Sequence, residues 1–182
     1  MANPKSAYSI PTKKGKSDTH IIVVWVDNES GVLARVVGLF SGRGYNIESL
    51  AVAEVDHKKN ISRITIVTTG TPQVIDQIKL QLKKLVPVHK VADFKREDKK
   101  VIFKEMALLK LVGNKKKIEK CIKACKSFNP VILDKTKIST VIQITALRRE
   151  IDKMSKRLKP LGLVSASRTG AIAMTRGAEI FK

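Results

Sequence analysis

The stretch Asn28–Leu50 constrains this chain more than any other, because it spells out a turn, a helix, a glycine stop and a returning strand in one short span. Just ahead of it, Ile21–Val26 is an apolar run rich in β-branched residues, the pattern of a buried strand. Asn28, Glu29 and Ser30 read as cap and first-turn residues, with the carboxylate where a helix N-terminus favours it. From Gly31 the apolar positions Val32, Leu33, Val36, Val37 and Phe40 recur at helical spacing. Gly42 and Gly44 suit a helix C-terminus, and a strand is expected to resume at Tyr45.

A turn of this kind can hold a small zwitterion. Free backbone N–H groups at a helix start attract a carboxylate. Amide side chains such as Asn28 and Asn46 can accept from an ammonium and donate to a carboxylate. The plainer alternative is that Asn28 only caps the helix and Asn46 only shapes the strand entry. The residues alone leave both open, and caps outnumber ligand sites.

The rest of the first half supplies a sheet for this unit. A strand over Tyr45–Val55 and a second over Ile61–Thr69 flank a hairpin turn, Asp56–Asn60. Ile64 and Ile66 belong to one face, Thr65 and Val67 to the other. Thr71-Pro72 is a cap with proline at the first helical position, followed by the stripe Val74, Ile75, Ile78, Leu82 and Leu85. A last strand covers Val86–Phe94. This βαββαβ order predicts a four-stranded antiparallel sheet with both helices on one face, the ferredoxin-like layout. Lys95–Lys100 has no apolar residue and reads as a linker.

After it the same order recurs. Strands are expected over Phe103–Val112, Pro130–Asp134, Lys137–Thr145 and Leu163–Met174, with helices over Lys115–Ser127 and Leu147–Leu158. Ile118, Cys121, Ile122 and Cys125 would face inward. The expected fold is α+β with two ferredoxin-like βαββαβ domains: a basic disordered tail at 1–19, a first domain at 20–94, a linker at 95–100 and a second domain at 101–182.

The phrases Asn28-Glu29-Ser30-Gly31, Gly38-Leu39-Phe40-Ser41 and Arg43-Gly44-Tyr45-Asn46-Ile47-Glu48-Ser49-Leu50 resemble those of the small regulatory subunit of acetolactate synthase, or acetohydroxyacid synthase. That family opens with an ACT domain, an amino-acid-sensing module, and the likeness runs without a gap from Ile21 to Phe94. Arg168-Thr169-Gly170 and Thr175-Arg176-Gly177 resemble its C-terminal phrase, whereas Gly113–Leu161 matches in outline only. Ala146-Leu147-Arg148-Arg149 stands where the family tends to have a small, glycine-containing turn.

The resemblance implies a homodimer through the ACT domains with a branched-chain amino acid, valine first among them, at the interface. Backbone N–H groups near Gly31 and Val32 would take its carboxylate, Asn28 and Asn46 would fix its charged ends, and Val52 and Ala53 would border its side chain. A Cβ at Gly31 would crowd the ligand. The resemblance further implies a large catalytic subunit as partner, carrying thiamine diphosphate, Mg2+ and FAD. It joins two pyruvates into 2-acetolactate and CO2, or pyruvate with 2-oxobutyrate, at the first common step of branched-chain amino acid synthesis. No cofactor has an expected site in this chain.

Composition enters where function classes must be excluded. The chain carries 36 Lys and Arg against 16 Asp and Glu, a net charge of +20. Residues 1–94 hold 13 basic and 8 acidic groups and residues 95–182 hold 23 and 8, so +5 and +15. Such a balance raises nucleic acid as partner, and the ferredoxin-like sheet is also an RNA-recognition fold. That fold stacks bases on aromatics of its central strands, but Ile61–Val67 contains none. RNA binding is therefore the runner-up, beside a stand-alone amino-acid sensor.

Cys121 and Cys125 lie one turn apart on a predicted helix and lack nearby histidines, so core packing is expected over a metal site. Gly42-Arg43-Gly44 closes a helix instead of opening one, and Gly113–Lys117 lacks a phosphate loop's second glycine. No Ser, Cys or Asp stands in a nucleophile context with a histidine, so no catalysis by the chain alone is expected. No run reaches the ~20 apolar residues of a membrane span. The leader has no secretory core, which suggests a cytoplasmic protein, with a plastid stroma as the alternative address.

Overall fold

The computed structural model describes residues 16–96 and 98–178. Most of the expected tail, residues 1–15, lies outside the described residues, and strand β1 already begins at Asp18.

The first half builds β1 (Asp18–Asp27), α1 (Val32–Ser41), β2 (Ser49–Asp56), β3 (Ile61–Gly70), α2 (Pro72–Lys83) and β4 (Val88–Lys95). The four strands form an antiparallel sheet in the order β2-β3-β1-β4, leaving β2 and β4 as edges. Alternate residues of β1 and β3 point to opposite faces. Ile22, Val24, Val26, Ile64 and Ile66 meet Val32, Val36, Phe40, Ile75, Ile78 and Leu82 under the helices. Each fully buried aliphatic side chain there contributes about 1.5–3 kcal/mol. The α2 stripe is set by its cap: Thr71 Oγ1 accepts from the Val74 N–H at 3.4 Å, with Pro72 at the first turn.

The second half builds β5 (Val101–Val112), α3 (Lys115–Ala124), β6 (Val131–Lys135), β7 (Ser139–Ala146), α4 (Arg148–Leu158), β8 (Leu163–Arg168) and β9 (Ile172–Thr175). The sheet order is β6-β7-β5-β8. Ala107, Leu109, Leu111, Ile142 and Ile144 pack against Cys121, Cys125, Ile151, Met154 and Leu158. Asn114 caps α3 by accepting from the Lys117 N–H at 2.9 Å.

Four expectations need correction. The strand predicted over Leu163–Met174 is two strands, β8 and β9, broken at Thr169-Gly170. Both pair with β5, β8 along Ala107–Leu111 and β9 along Val101–Lys104. Gly170 has φ 79, and a Cβ there would stand 2.6 Å from Ser49 Oγ, so a left-handed glycine lets the chain step onto the first sheet. Second, α3 ends at Ala124 and the chain tightens into a 3-10 turn over Lys126–Phe128 instead of staying helical to Ser127. Third, regular pairing of β2 starts at Ser49, not Tyr45. Tyr45 first packs edge-on against Phe40, their centroids 6.1 Å apart. Fourth, Leu33 is 40% exposed while Leu39 is buried, because a helix starting at Val32 turns positions 36, 39 and 40 to the core.

Ferredoxin-like sheets commonly leave one face bare; here that face of the first sheet is covered. Ile21, Val23 and Val67 form a third core with Val101, Phe103, Ala171 and Ala173, flanked by Trp25, Ala92, Phe94 and Leu147. The start of β5, with Ala171 and the Ala173 side of β9, thus lies over β1 and β3. Arg63 on β3 donates to the Ala173 carbonyl, and the Ala171 N–H donates to Ser49 Oγ at 3.2 Å.

Candidate functional site

The β1–α1 turn is exposed from Asn28 to Gly31 and ends in Gly31, the residue capping α1, with φ 84. The expected polar cap is not what the turn contains. No side chain bonds the helix start and no acidic residue lies in its first turn. Asn28 instead faces β3: its Oδ1 accepts from Ser62 Oγ at 3.0 Å and its N–H donates to the Asn60 carbonyl at 2.7 Å. The side chain that would have capped the helix braces the turn against the sheet. Val32 is 4% exposed and belongs to the core. Its N–H has only a long contact to the Glu29 carbonyl, 3.4 Å, so the tip still offers weakly engaged donors.

A Cβ at Gly31 would have no atom within 4 Å, so in one chain nothing crowds that position. Glycine is required there for the left-handed backbone, which costs other residues roughly 1–2 kcal/mol.

Asn46 lies exposed in the run before β2, and its carbonyl accepts from Thr68 Oγ1 at 2.7 Å. The two asparagines are therefore tied to opposite ends of β3, at Ser62 and Thr68. Six residues of strand make that about 20 Å, too far for both to hold one amino acid within a chain.

Val52 and Ala53 sit on the edge strand β2 and alternate across it. Val52 pairs with Ile64 on the helix side, and Ala53 pairs with Arg63 on the other. Both line a groove of about 640 Å³ that the sequence did not reveal, because its far wall is β9, with Ile172, Ala173 and Met174. The only signal was the turn-prone Thr169-Gly170 inside an assumed strand. Arg63 crosses the groove floor with its guanidinium 5.3 Å from the Trp25 ring centroid, and burial lowers its pKa.

Among the described residues no cluster of His, Cys, Asp or Glu could hold a metal. Cys121 and Cys125 are buried free thiols; burial raises both, Cys125 to about 11, which keeps them protonated. Among the described residues no helix is long and apolar enough to cross a membrane.

Comparison with known proteins agrees with this layout. A family profile described as an AHAS small subunit-like ACT domain matches residues 22–90, and one described as the small subunit of acetolactate synthase matches residues 104–177. The acetolactate synthase small subunit of Aquifex aeolicus is 38% identical over 165 residues, covering 90% of this chain and 84% of that protein. That of Mycobacterium bovis is 34% identical over 159 residues, covering 87% and 93%. The crystal structure of the Thermotoga maritima small subunit superposes with a TM-score of 0.79 at 31% identity, covering 88% of this chain and 99% of that one. With an ACT domain first and a second ferredoxin-like unit behind it, and with relatives that are small subunits over most of their length, the chain belongs to the acetolactate synthase small-subunit family, as a regulatory and not a catalytic subunit.

Proposed function

We propose that this chain binds a branched-chain amino acid, valine foremost, between two copies of its first domain, and so tunes a large catalytic subunit of acetolactate synthase. The carrying observation is the placement of Asn28 and Asn46 at opposite ends of β3, beside the open edge strand β2. A two-fold axis running two β2 edges antiparallel sets each Asn28–Gly31 turn against the other chain's Asn46. Leu33, Val52 and Val55 are 40%, 44% and 52% exposed on α1 and β2, the apolar surface such a pairing would cover.

In that dimer the helix tip at Gly31 and Val32 receives the effector carboxylate. Asn28 keeps its brace to Ser62 through Oδ1, which leaves its Nδ2 to donate to the carboxylate. The partner's asparagine amide accepts from the ammonium, and Val52 and Ala53 border the aliphatic group. Residues 20–94 act as this ACT domain, 95–100 as a short connection and 101–182 as a second domain that joins it in docking on the catalytic subunit, in the cytoplasm. Thiamine diphosphate, Mg2+ and FAD belong to that partner. Without effector the small subunit raises activity by holding the active site assembled. Effector binding changes the dimer geometry and withdraws that support. Reciprocity then requires the catalytic subunit to weaken effector binding by the same factor, typically about 1–3 kcal/mol of coupling.

RNA recognition is disfavoured by packing. The first sheet's helix-free face is filled by β5 and β9. The second sheet's corresponding face carries Met106, Leu108, Val141 and Gln143, with no aromatic to stack a base. Calorimetric titration of the purified chain with valine, leucine and isoleucine tests the proposal. Saturable binding at one effector site per chain is expected, and silence toward all three refutes it.

A further inference from the structure

A second cavity, of about 290 Å³, opens between the two halves of the chain and shares only Lys104 with the groove beside β2. Its floor is apolar and deep: Ile21 and Val67 from the first sheet, Phe103 from β5 and Ala171 from the β8–β9 turn are each under 9% exposed. Its rim is cationic. Arg96, Lys104, Arg148 and Arg149 line it against a single carboxylate, Glu48. Arg148 is held in place by donating to the Glu48 carbonyl at 3.1 Å, and the Glu48 carboxylate is taken up by Thr69 Oγ1 at 2.5 Å. Among the described residues, Arg96, Lys104 and Arg149 enter no ion pair.

Cations gathered at a low-dielectric mouth raise the local concentration of anions and gain from a counter-charge seated among them. The floor sets the remainder of the ligand. A bare inorganic anion leaves four apolar side chains uncovered, and the volume lies at the lower end of small-molecule sites, too small for an extended acyl chain. The rim also sets the substituent next to the acid group. An ammonium at that position would face several positive charges with one already engaged carboxylate as its acceptor, whereas an oxo or hydroxyl oxygen accepts from the same guanidinium and ammonium donors.

We propose that this cleft binds a short aliphatic 2-oxo or 2-hydroxy carboxylate, making it a second small-molecule site that ties the two halves of the chain together. The site is independent of the zwitterion reading of the β1–α1 turn. A protein with both would sense an amino acid and its ammonium-free counterpart at separate places.

The test is calorimetric titration of the full chain with 2-oxoisovalerate, valine, inorganic phosphate and the uncharged amide isovaleramide, at fixed ionic strength. Saturable binding of 2-oxoisovalerate is expected, weakening as salt rises. Arg149→Glu and Lys104→Met should each weaken it by about tenfold or more, as loss of a charge-assisted contact does. Both residues are exposed, so the variants should fold; unchanged Trp25 fluorescence checks this. Asn28→Ala should leave 2-oxoisovalerate binding intact, which separates this site from the proposed effector site. No binding of 2-oxoisovalerate, equal affinity for phosphate or isovaleramide, displacement of 2-oxoisovalerate by valine, or indifference to both variants would each overturn the proposal.

Discussion

Replacing Arg168 with alanine should be among the most destabilising single changes outside the hydrophobic cores. Its Nε and Nη2 donate to the two carboxylate oxygens of Glu105 at 2.6 and 2.8 Å, and its Nη1 donates to Asp152 Oδ1 at 2.6 Å. Glu105 is 2% exposed, in the middle of β5, and its bond to Arg168 is the chief cause of that guanidinium's raised pKa. Removing Arg168 strands a buried carboxylate, which costs about 3–5 kcal/mol. The Asp152 side chain is 44% exposed, and that arm adds no more than about 1 kcal/mol. Because the Arg168 side chain is itself 29% exposed, water can partly replace it, so the lower end, about 3 kcal/mol, is expected. Against a typical stability of about 5–15 kcal/mol this is a large fraction. Urea unfolding, followed by circular dichroism and by Trp25 fluorescence, measures it. The double variant Arg168→Met with Glu105→Leu should recover most of the loss, since no uncompensated charge remains. A loss under about 1 kcal/mol for Arg168→Ala, or a double variant no better than the single one, would refute this account.

Asn28→Ala should remove feedback inhibition of the reconstituted enzyme while leaving its stimulation intact, at a stability cost of about 1 kcal/mol for the unpaired Ser62 hydroxyl. Gly31→Asp should do the same to inhibition through a strained left-handed backbone and a carboxylate at the effector's acid end; loss of stimulation as well would point to unfolding instead. A chain stopped at Phe94 would lay bare Ile21, Val23 and Val67, so it should self-associate on gel filtration and bind a hydrophobic dye, although it keeps every proposed effector residue. Stability should fall as pH rises. Cys125 is protonated when folded up to about 11 but ionises near 9.0 when unfolded, so its contribution is complete below pH 9.0 and lost on the way to about pH 11. Denaturation midpoints at stepped pH check this, and Cys125→Ser, which titrates no thiol at that position, should flatten the decline.

The strand and helix order was legible because elements carry their own signals, as Thr71-Pro72 shows for α2. What was illegible depended on partners distant in sequence. Asn28 has the composition of a cap, yet its side chain finds Ser62, 34 residues away, and no local pattern announces that choice. The break between β8 and β9 is marked in sequence only by Thr169-Gly170, which gives no reason for a turn at that place. It is forced by Ser49 and Leu50, against which Gly170 must pass. Of the proposed effector residues, the helix tip could be read locally, whereas the distance between Asn28 and Asn46 is a property of the folded sheet.

β5 runs for twelve residues, and its two ends serve different masters: Val101 and Phe103 are embedded against the first sheet, while Ala107 to Leu111 form the spine of the second. A continuous pleated strand bends poorly and does not swivel. Any twist imposed on the first sheet should reach the far sheet as a rotation of one stiff rod, and the loop sequence between the halves should matter little to how faithfully that rotation is passed on.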